Sequence, residues 1–242
     1  MRGVSAFAQL RWVVAASALM TGTAMLIYPG GTAFDPTTHG YSLFRNFLSD
    51  LGSTTTTSGQ SNLVGATLFS TSLVALALAL VRCLIALLRL NSTDLVSRVL
   101  TRAAVVVGAV ACAAIIGIAA APENHSMAMH IRFTGLVCRT LPVASLLMAF
   151  ATMRDRRFAK RAVVAWAALT LVLAGHAAFM QWGPPIVDDR GLAAQATEQK
   201  VFACNALLIF DFLTLEADRA ADSVRRAATG KGEEAAGAAP VG

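Results

Sequence analysis

Long apolar runs restrict what this chain can fold into more than any other feature. Hydrophobic residues make up 56% of its 242 residues and charged residues only 14%, whereas a soluble domain carries about 25% charged residues. Continuous apolar runs of about 20 residues are typical of membrane-spanning helices. The sequence therefore predicts an all-α polytopic membrane protein, a bundle of six transmembrane helices. The predicted spans are about 12–28, 63–81, 103–121, 133–153, 162–182 and 201–215.

Basic residues concentrate in alternate connections between these spans. The second and fourth loops and the C-terminal tail hold most of them, and the odd-numbered loops hold fewer. Because lysine and arginine collect on cytoplasmic loops, this bias predicts a multi-pass protein of the cell membrane with both termini cytoplasmic. It also accounts for the net charge of +6 without a nucleic-acid partner. The predicted domains are a transmembrane domain at 1–226 and a disordered, Gly/Ala-rich cytoplasmic tail at 227–242.

The segment YSLFRNFLSDLGS interrupts the apolar pattern in the first outer loop. Its apolar residues recur at helical spacing, which predicts a short amphipathic helix at the membrane surface. The polar face of this helix supplies three binding candidates, Asn46, Ser49 and Asp50. Asp50 falls in the last predicted turn, where the helix dipole disfavours an anion, so we expect it to have a partner. The candidate partners are Arg45, Arg132, Arg139 and the amides of the following turn.

Histidines distinguish the second outer loop, in which Glu123, His125 and His130 lie close together in sequence. A zinc-binding pair on one helix needs an i, i+4 spacing, whereas these histidines are five residues apart. We therefore predict hydrogen-bonded histidines, no metal and no cofactor. Together with Asp50, the two histidines remain the candidates for acid/base catalysis.

A seven-residue spacing relates His125, Arg132 and Arg139, which predicts one stripe along the fourth span. An arginine inside the membrane is costly unless it is paired, so we expect Arg139 to face the bundle interior. His176, Asn205 and Ser70 lie at a similar predicted depth, so Arg139 and these three side chains could form a polar layer. Each of these polar side chains taken singly is more typical of a hydrogen bond between helices. Arg132, Arg139, His176 and Asn205 complete the set of binding candidates.

The element NFLSDLG at 46–52 resembles the prokaryotic six-helix membrane family DUF998 (domain of unknown function 998). The segment Pro122 to His130, and the pair Gln199-Lys200 at the start of the last span, are also similar to that family. More distantly, the SDLG element is similar to the Frag1/DRAM/Sfk1 family, six-span proteins linked to membrane lipid organisation. The resemblance implies a six-span fold with functional outer loops, and it implies no particular reaction.

Three classes of function are compatible with this pattern. The first is a membrane protein whose outer polar site binds or organises membrane lipid or a protein partner. The second is a membrane-embedded enzyme that acts on a lipid or isoprenoid. The third is a small transporter, which should show interrupted helices or an internal repeat. The sequence shows neither feature clearly, which makes a transporter the least favoured of the three. The binding protein is the leading hypothesis, and the enzyme is the alternative.

Overall fold

Helices account for most of the chain in the computed structural model, which describes residues 5–90 and 94–237. The α-helices of this described part are α1 (Ala6–Leu26), α2 (Leu63–Arg89), α3 (Leu95–Ala120), α4 (Glu123–Arg154), α5 (Lys160–Trp182) and α6 (Asp189–Gly237). A four-residue 3-10 helix, Ser49–Gly52, lies in the connection between α1 and α2. The predicted all-α fold class is confirmed.

Four of these helices, α2 to α5, are long and apolar enough to cross a membrane. The other two, α1 and α6, carry charged side chains that are paired between helices. Arg11 of α1 lies 2.9 Å from Asp218 of α6, which also accepts a hydrogen bond from Ser5 at 2.6 Å. Glu216 of α6 is only 3% exposed and lies 2.9 Å from Arg161. Pairing of this kind offsets the cost of removing a charge from water.

The helices form a closed ring in which each helix packs against its neighbours in sequence. Contacts between α6 and α1 close the ring. Small side chains allow close approach between the helices, as expected where packing drives association. At Gly117 of α3, a Cβ atom would lie 2.6 Å from the Phe133 ring of α4. The α3–α4 contact therefore depends on the absence of a side chain at this position.

The ring has two chemically different ends. One end, the loop face, carries the long α1–α2 connection, the α3–α4 junction and the α5–α6 junction. The opposite end, the arginine face, carries the α2–α3 and α4–α5 connections and is rich in arginine. Arg98, Arg102, Arg154 and Arg157 all lie there.

The ends of several elements differ from the sequence-based predictions. The last helix begins at Asp189 rather than near 201, because the Asp188 side chain accepts a hydrogen bond from the Gly191 amide at 2.8 Å. It continues to Gly237, into the tail predicted to be disordered, and residues 238–242 lie outside the described part. Helix α4 contains one non-helical residue, Ser126, which separates its first turn from the rest.

Candidate functional site

The α1–α2 connection covers the loop face without forming the predicted amphipathic helix. One helical turn closes between the Asn46 amide and the Ser42 carbonyl at 2.9 Å, and the 3-10 helix then follows. The prediction placed Asn46 on the polar face of a surface helix, but its side chain is 0% exposed. Since a buried amide must satisfy its hydrogen bonds, this segment folds around Asn46 rather than along an apolar stripe.

Asn46 is the centre of a hydrogen-bond network. Its side-chain nitrogen donates to the Gly31 carbonyl at 2.9 Å and to the Asp50 carboxylate at 2.8 Å. Its side-chain oxygen accepts from the Ser42 amide at 2.9 Å. Its carbonyl oxygen accepts from the Tyr41 hydroxyl at 3.2 Å and from the Lys200 ammonium. The side chain and the backbone carbonyl of Asn46 therefore join three parts of the α1–α2 connection to each other and to α6.

Asp50 has the partner that the sequence required, but not one of those predicted. The same carboxylate oxygen that accepts from Asn46 also accepts from the Phe47 amide at 3.0 Å. Burial raises the pKa of Asp50 to about 6. The Asn46 hydrogen bond lowers it, the nearby Glu123 raises it, and the Phe47 amide and the Lys200 charge lower it. Asp50 therefore changes its charge close to neutral pH.

Helix α6 clamps this connection through two consecutive residues. The Gln199 side chain accepts a hydrogen bond from the Leu48 amide at 2.7 Å. Lys200 donates to the Ala196 carbonyl at 2.8 Å as well as to Asn46, and its ammonium lies 5.5 Å from the centre of the Tyr41 ring. Burial lowers the pKa of Lys200 to about 8, and the negative charge of Asp50 opposes that change.

The two histidines of the α3–α4 junction take separate positions. His125 is exposed and shares a 2.8 Å hydrogen bond with the Thr54 hydroxyl. His130 is buried, with one ring nitrogen 3.0 Å from the Ala121 carbonyl and the other 3.2 Å from Glu123. Glu123 connects His130 electrostatically to the Asp50 cluster, because its charge raises the pKa of Asp50. Within residues 5–90 and 94–237, no three His, Cys, Asp or Glu side chains converge as a metal site.

A family model described as "Protein of unknown function (DUF998)" matches residues 23–194, more than half of the chain. The chain belongs to the DUF998 family. The matched region contains Asn46, Asp50, Glu123 and His130 and ends before Gln199. The resemblance predicted from the NFLSDLG element is thereby confirmed. No curated protein and no solved structure matched the chain.

This DUF998 chain does not assemble the predicted polar layer. Arg132 and Arg139 do lie on one stripe, but both are exposed and the stripe points out of the bundle. The buried face of α4 is defined by Ser145, Met148, Ala149 and Thr152. At 100° per residue, Arg139 lies on the opposite side of the helix from that face. The kink at Ser126 removes His125 from the stripe.

Two further members of that predicted layer also have different surroundings. His176 is buried, 2.8 Å from the Glu198 carboxylate, and its ring stacks on Phe202 with centroids 3.8 Å apart. Asn205 is exposed and donates to the Val201 carbonyl of its own helix at 2.7 Å. Ser49 lies in the 3-10 helix and is partly buried. The sequence did not indicate the pairing of His176 with Glu198.

A polar groove lies beside the Asn46 network on the loop face of this family member. Hydroxyl groups and one ion pair dominate its lining. The lining residues are Thr32, Asp35, Thr38, Ser42, Arg45 and Asp189. Arg45 and Asp189 form a two-pronged pair at 2.6 and 2.8 Å, which joins the α1–α2 connection to the first turn of α6.

Proposed function

We propose that this DUF998 protein spans the cell membrane six times with both termini cytoplasmic and binds a phospholipid head group on its outer loop face. Helix α1 has 21 residues, which corresponds to about 31 Å and matches the hydrocarbon thickness. Both α1 and α6 close the same ring as the four apolar helices. The arginines of the opposite end support a cytoplasmic assignment of that end.

The groove is the observation that carries the binding proposal. It offers a cation, Arg45, for a phosphate group, and acids, Asp35 and Asp189, for an amine. Large apolar side chains within three residues of the lining residues in sequence are exposed, namely Phe34, Leu43, Phe44, Ile186 and Val187. A polar groove with an exposed apolar rim suits an amphiphile, whose head group would occupy the groove while its chains rest on the rim.

The Asn46 network has a supporting role in this proposal. Asn46 holds the Ser42 amide, and Ser42 lines the groove. Lys200 and Gln199 fix the same connection to α6, which carries the second wall at Asp189. The network thus sets the distance between the two walls that the Arg45–Asp189 pair bridges.

Native mass spectrometry of the purified full chain tests the binding proposal. We expect phospholipid to remain bound to the unmodified protein and to be lost from Arg45→Gln, because a phosphate contact and the ion pair are both removed. Arg190→Gln is the matched control, since Arg190 is exposed next to Asp189 in the first turn of α6 and does not line the groove. Equal lipid retention in the two variants would contradict the proposal, and a retained protein in place of lipid would favour a protein partner.

A second candidate function is an enzyme that acts on a lipid or isoprenoid. The observation that favours it is Asp50, a buried acid with a pKa of about 6 next to Glu123 and its paired His130. Groups with such values suit proton transfer at neutral pH. Incubating the protein with a membrane lipid extract, followed by mass spectrometry, tests it. A product that forms with the unmodified chain but not with Asp50→Asn would establish catalysis, and unchanged lipids would exclude it for that extract.

A further inference from the structure

The arginine face contains a second cavity, on the opposite side of the ring from the Asn46 network. It lies where α2 ends, α3 begins and α4 ends. Its polar lining includes Arg98, Thr101, Arg102, Arg157 and one carboxylate, that of Asp155. Its apolar lining includes Leu88 and Phe158. The cavity therefore combines several cations with an apolar wall at one end of a membrane-type bundle.

Two of the arginines at this end are neutralised by nearby acids. The Nε atom of Arg157 donates to both carboxylate oxygens of Asp155, at 2.9 and 3.1 Å, and another of its nitrogens donates to the Leu90 carbonyl. Arg154 donates to Asp94 at 3.0 Å. Each of these pairs cancels one positive charge, and each acid is already engaged by an arginine.

Arg98 and Arg102 are left with excess positive charge. Neither takes part in an ion pair within the part of the chain that the structure describes. The Nε atom of Arg98 is shielded from solvent and has no hydrogen-bond partner among the described residues. The positive charge of Arg98 lowers the pKa of Asp94, but the Asp94 carboxylate already accepts a hydrogen bond from Arg154. A buried donor without an acceptor is costly, so the cavity is short of an anion.

We infer that this cavity binds the phosphate group of an anionic phospholipid. A guanidinium matches phosphate geometry with paired donors, and the Thr101 hydroxyl supplies a further donor on the same wall. Leu88 and Phe158 give an apolar surface on which an acyl chain can pack. Basic pockets between helix ends are typical sites for anionic head groups. This site is independent of the groove on the loop face and does not rest on the function proposed for it.

Lipid titration of the full-length, delipidated protein tests this inference by native mass spectrometry. The probes are phosphatidylglycerol, phosphatidylcholine and inorganic phosphate. We expect phosphatidylglycerol to bind more tightly than phosphatidylcholine, and the Arg98→Gln/Arg102→Gln double variant to lose about 25-fold in phosphatidylglycerol affinity, at roughly one factor of five per arginine. Affinity for phosphatidylcholine should stay unchanged. An unchanged phosphatidylglycerol affinity in the double variant would overturn the inference.

Arg89→Gln is the matched control, because Arg89 is exposed at the same end of α2 and does not line the cavity. A loss in Arg89→Gln equal to that in the double variant would assign the effect to general surface charge and overturn the site. If inorganic phosphate at equal concentration displaces phosphatidylglycerol, the cavity binds free phosphate rather than a lipid, and the inference is overturned. If circular dichroism shows that the double variant does not fold, Arg102→Gln alone decides. The Arg102 side chain is exposed, and the phosphatidylglycerol affinity of this single variant should fall about fivefold.

Discussion

Replacing Asp50 by asparagine removes a charge from a buried position and keeps the acceptor that the position requires. One carboxylate oxygen accepts both the Asn46 and the Phe47 hydrogen bonds, so the amide oxygen of asparagine can accept the same two. The variant therefore separates the effect of the charge from the effect of the hydrogen bonds.

The size and sign of the effect follow from the pKa of Asp50. Burial raises it from 3.8 to about 6, so the folded state binds a proton more tightly than the unfolded state. Its stabilising contribution is complete below pH 3.8 and is lost as pH rises through about 6. A difference of about two pKa units corresponds to about 3 kcal/mol at pH 7. The pKa of about 6 already includes the attraction of Lys200, but the asparagine NH2 group loses its water on burial, which reduces the expected gain from Asp50→Asn to about 1–2 kcal/mol.

Thermal unfolding of the purified protein across pH 4 to 8 measures this effect. At pH 7 we expect Tm to rise by about 2–8 °C in Asp50→Asn, and the fall in Tm between pH 4 and 6 should flatten. Asp35→Asn is the matched control, because Asp35 is an exposed acid in the same connection whose pKa is lowered by hydrogen bonds from Thr37. Asp35→Asn should give no such gain. A lower Tm for Asp50→Asn at pH 7, or an unchanged pH dependence, would refute the reasoning.

Further predictions concern the network, the helix packing and the topology. Asn46→Ala should cost about 3 kcal/mol, since it leaves the Gly31 carbonyl and the Ser42 amide unpaired, and hydrogen exchange at 29–62 should become faster. Gly117→Ala should cost about 1–3 kcal/mol because its Cβ would meet the Phe133 ring, whereas Gly175→Ala, with nothing within 4 Å, should leave Tm unchanged or higher. A cysteine at Thr37, in a chain without its native cysteines, should react with an impermeant maleimide on intact cells, and one at Ser223 only after lysis. The reverse labelling pattern would contradict the proposed orientation.

Continuous apolar runs predicted the membrane-type helices well, since lipid and helix packing both act on long stretches of sequence. The predicted spans 63–81, 133–153 and 162–182 lie within α2, α4 and α5, and 103–121 extends one residue beyond the end of α3, because apolar residues extend throughout these helices. Helix ends were less predictable, because local contacts decide them. One side-chain hydrogen bond, from the Gly191 amide to Asp188, begins α6 about three turns before the apolar run.

Side-chain directions at the site depend on contacts between distant segments, which periodicity does not encode. Asn46 looks solvated in a helical projection, yet it is buried because Gly31 and Lys200 approach it from other parts of the chain. Arg139 looks as if it needs an interior partner, but the small residues of α4 direct a different face inward. At Arg139 the spacing was read correctly and contacts elsewhere in the bundle decided the environment, whereas at Asn46 the helix predicted from the spacing does not form.

The groove on the loop face is the centre of the proposed function, and photo-crosslinking tests its occupancy most directly. A diazirine-bearing residue would be placed at Thr38, which lines the groove, and separately at its exposed neighbour Thr37, which does not. After irradiation in native membranes, mass spectrometry would identify the adducts. We predict a phospholipid adduct from position 38 at a yield well above that from position 37. Equal yields at the two positions, or no lipid adduct at position 38, would contradict head-group binding in the groove.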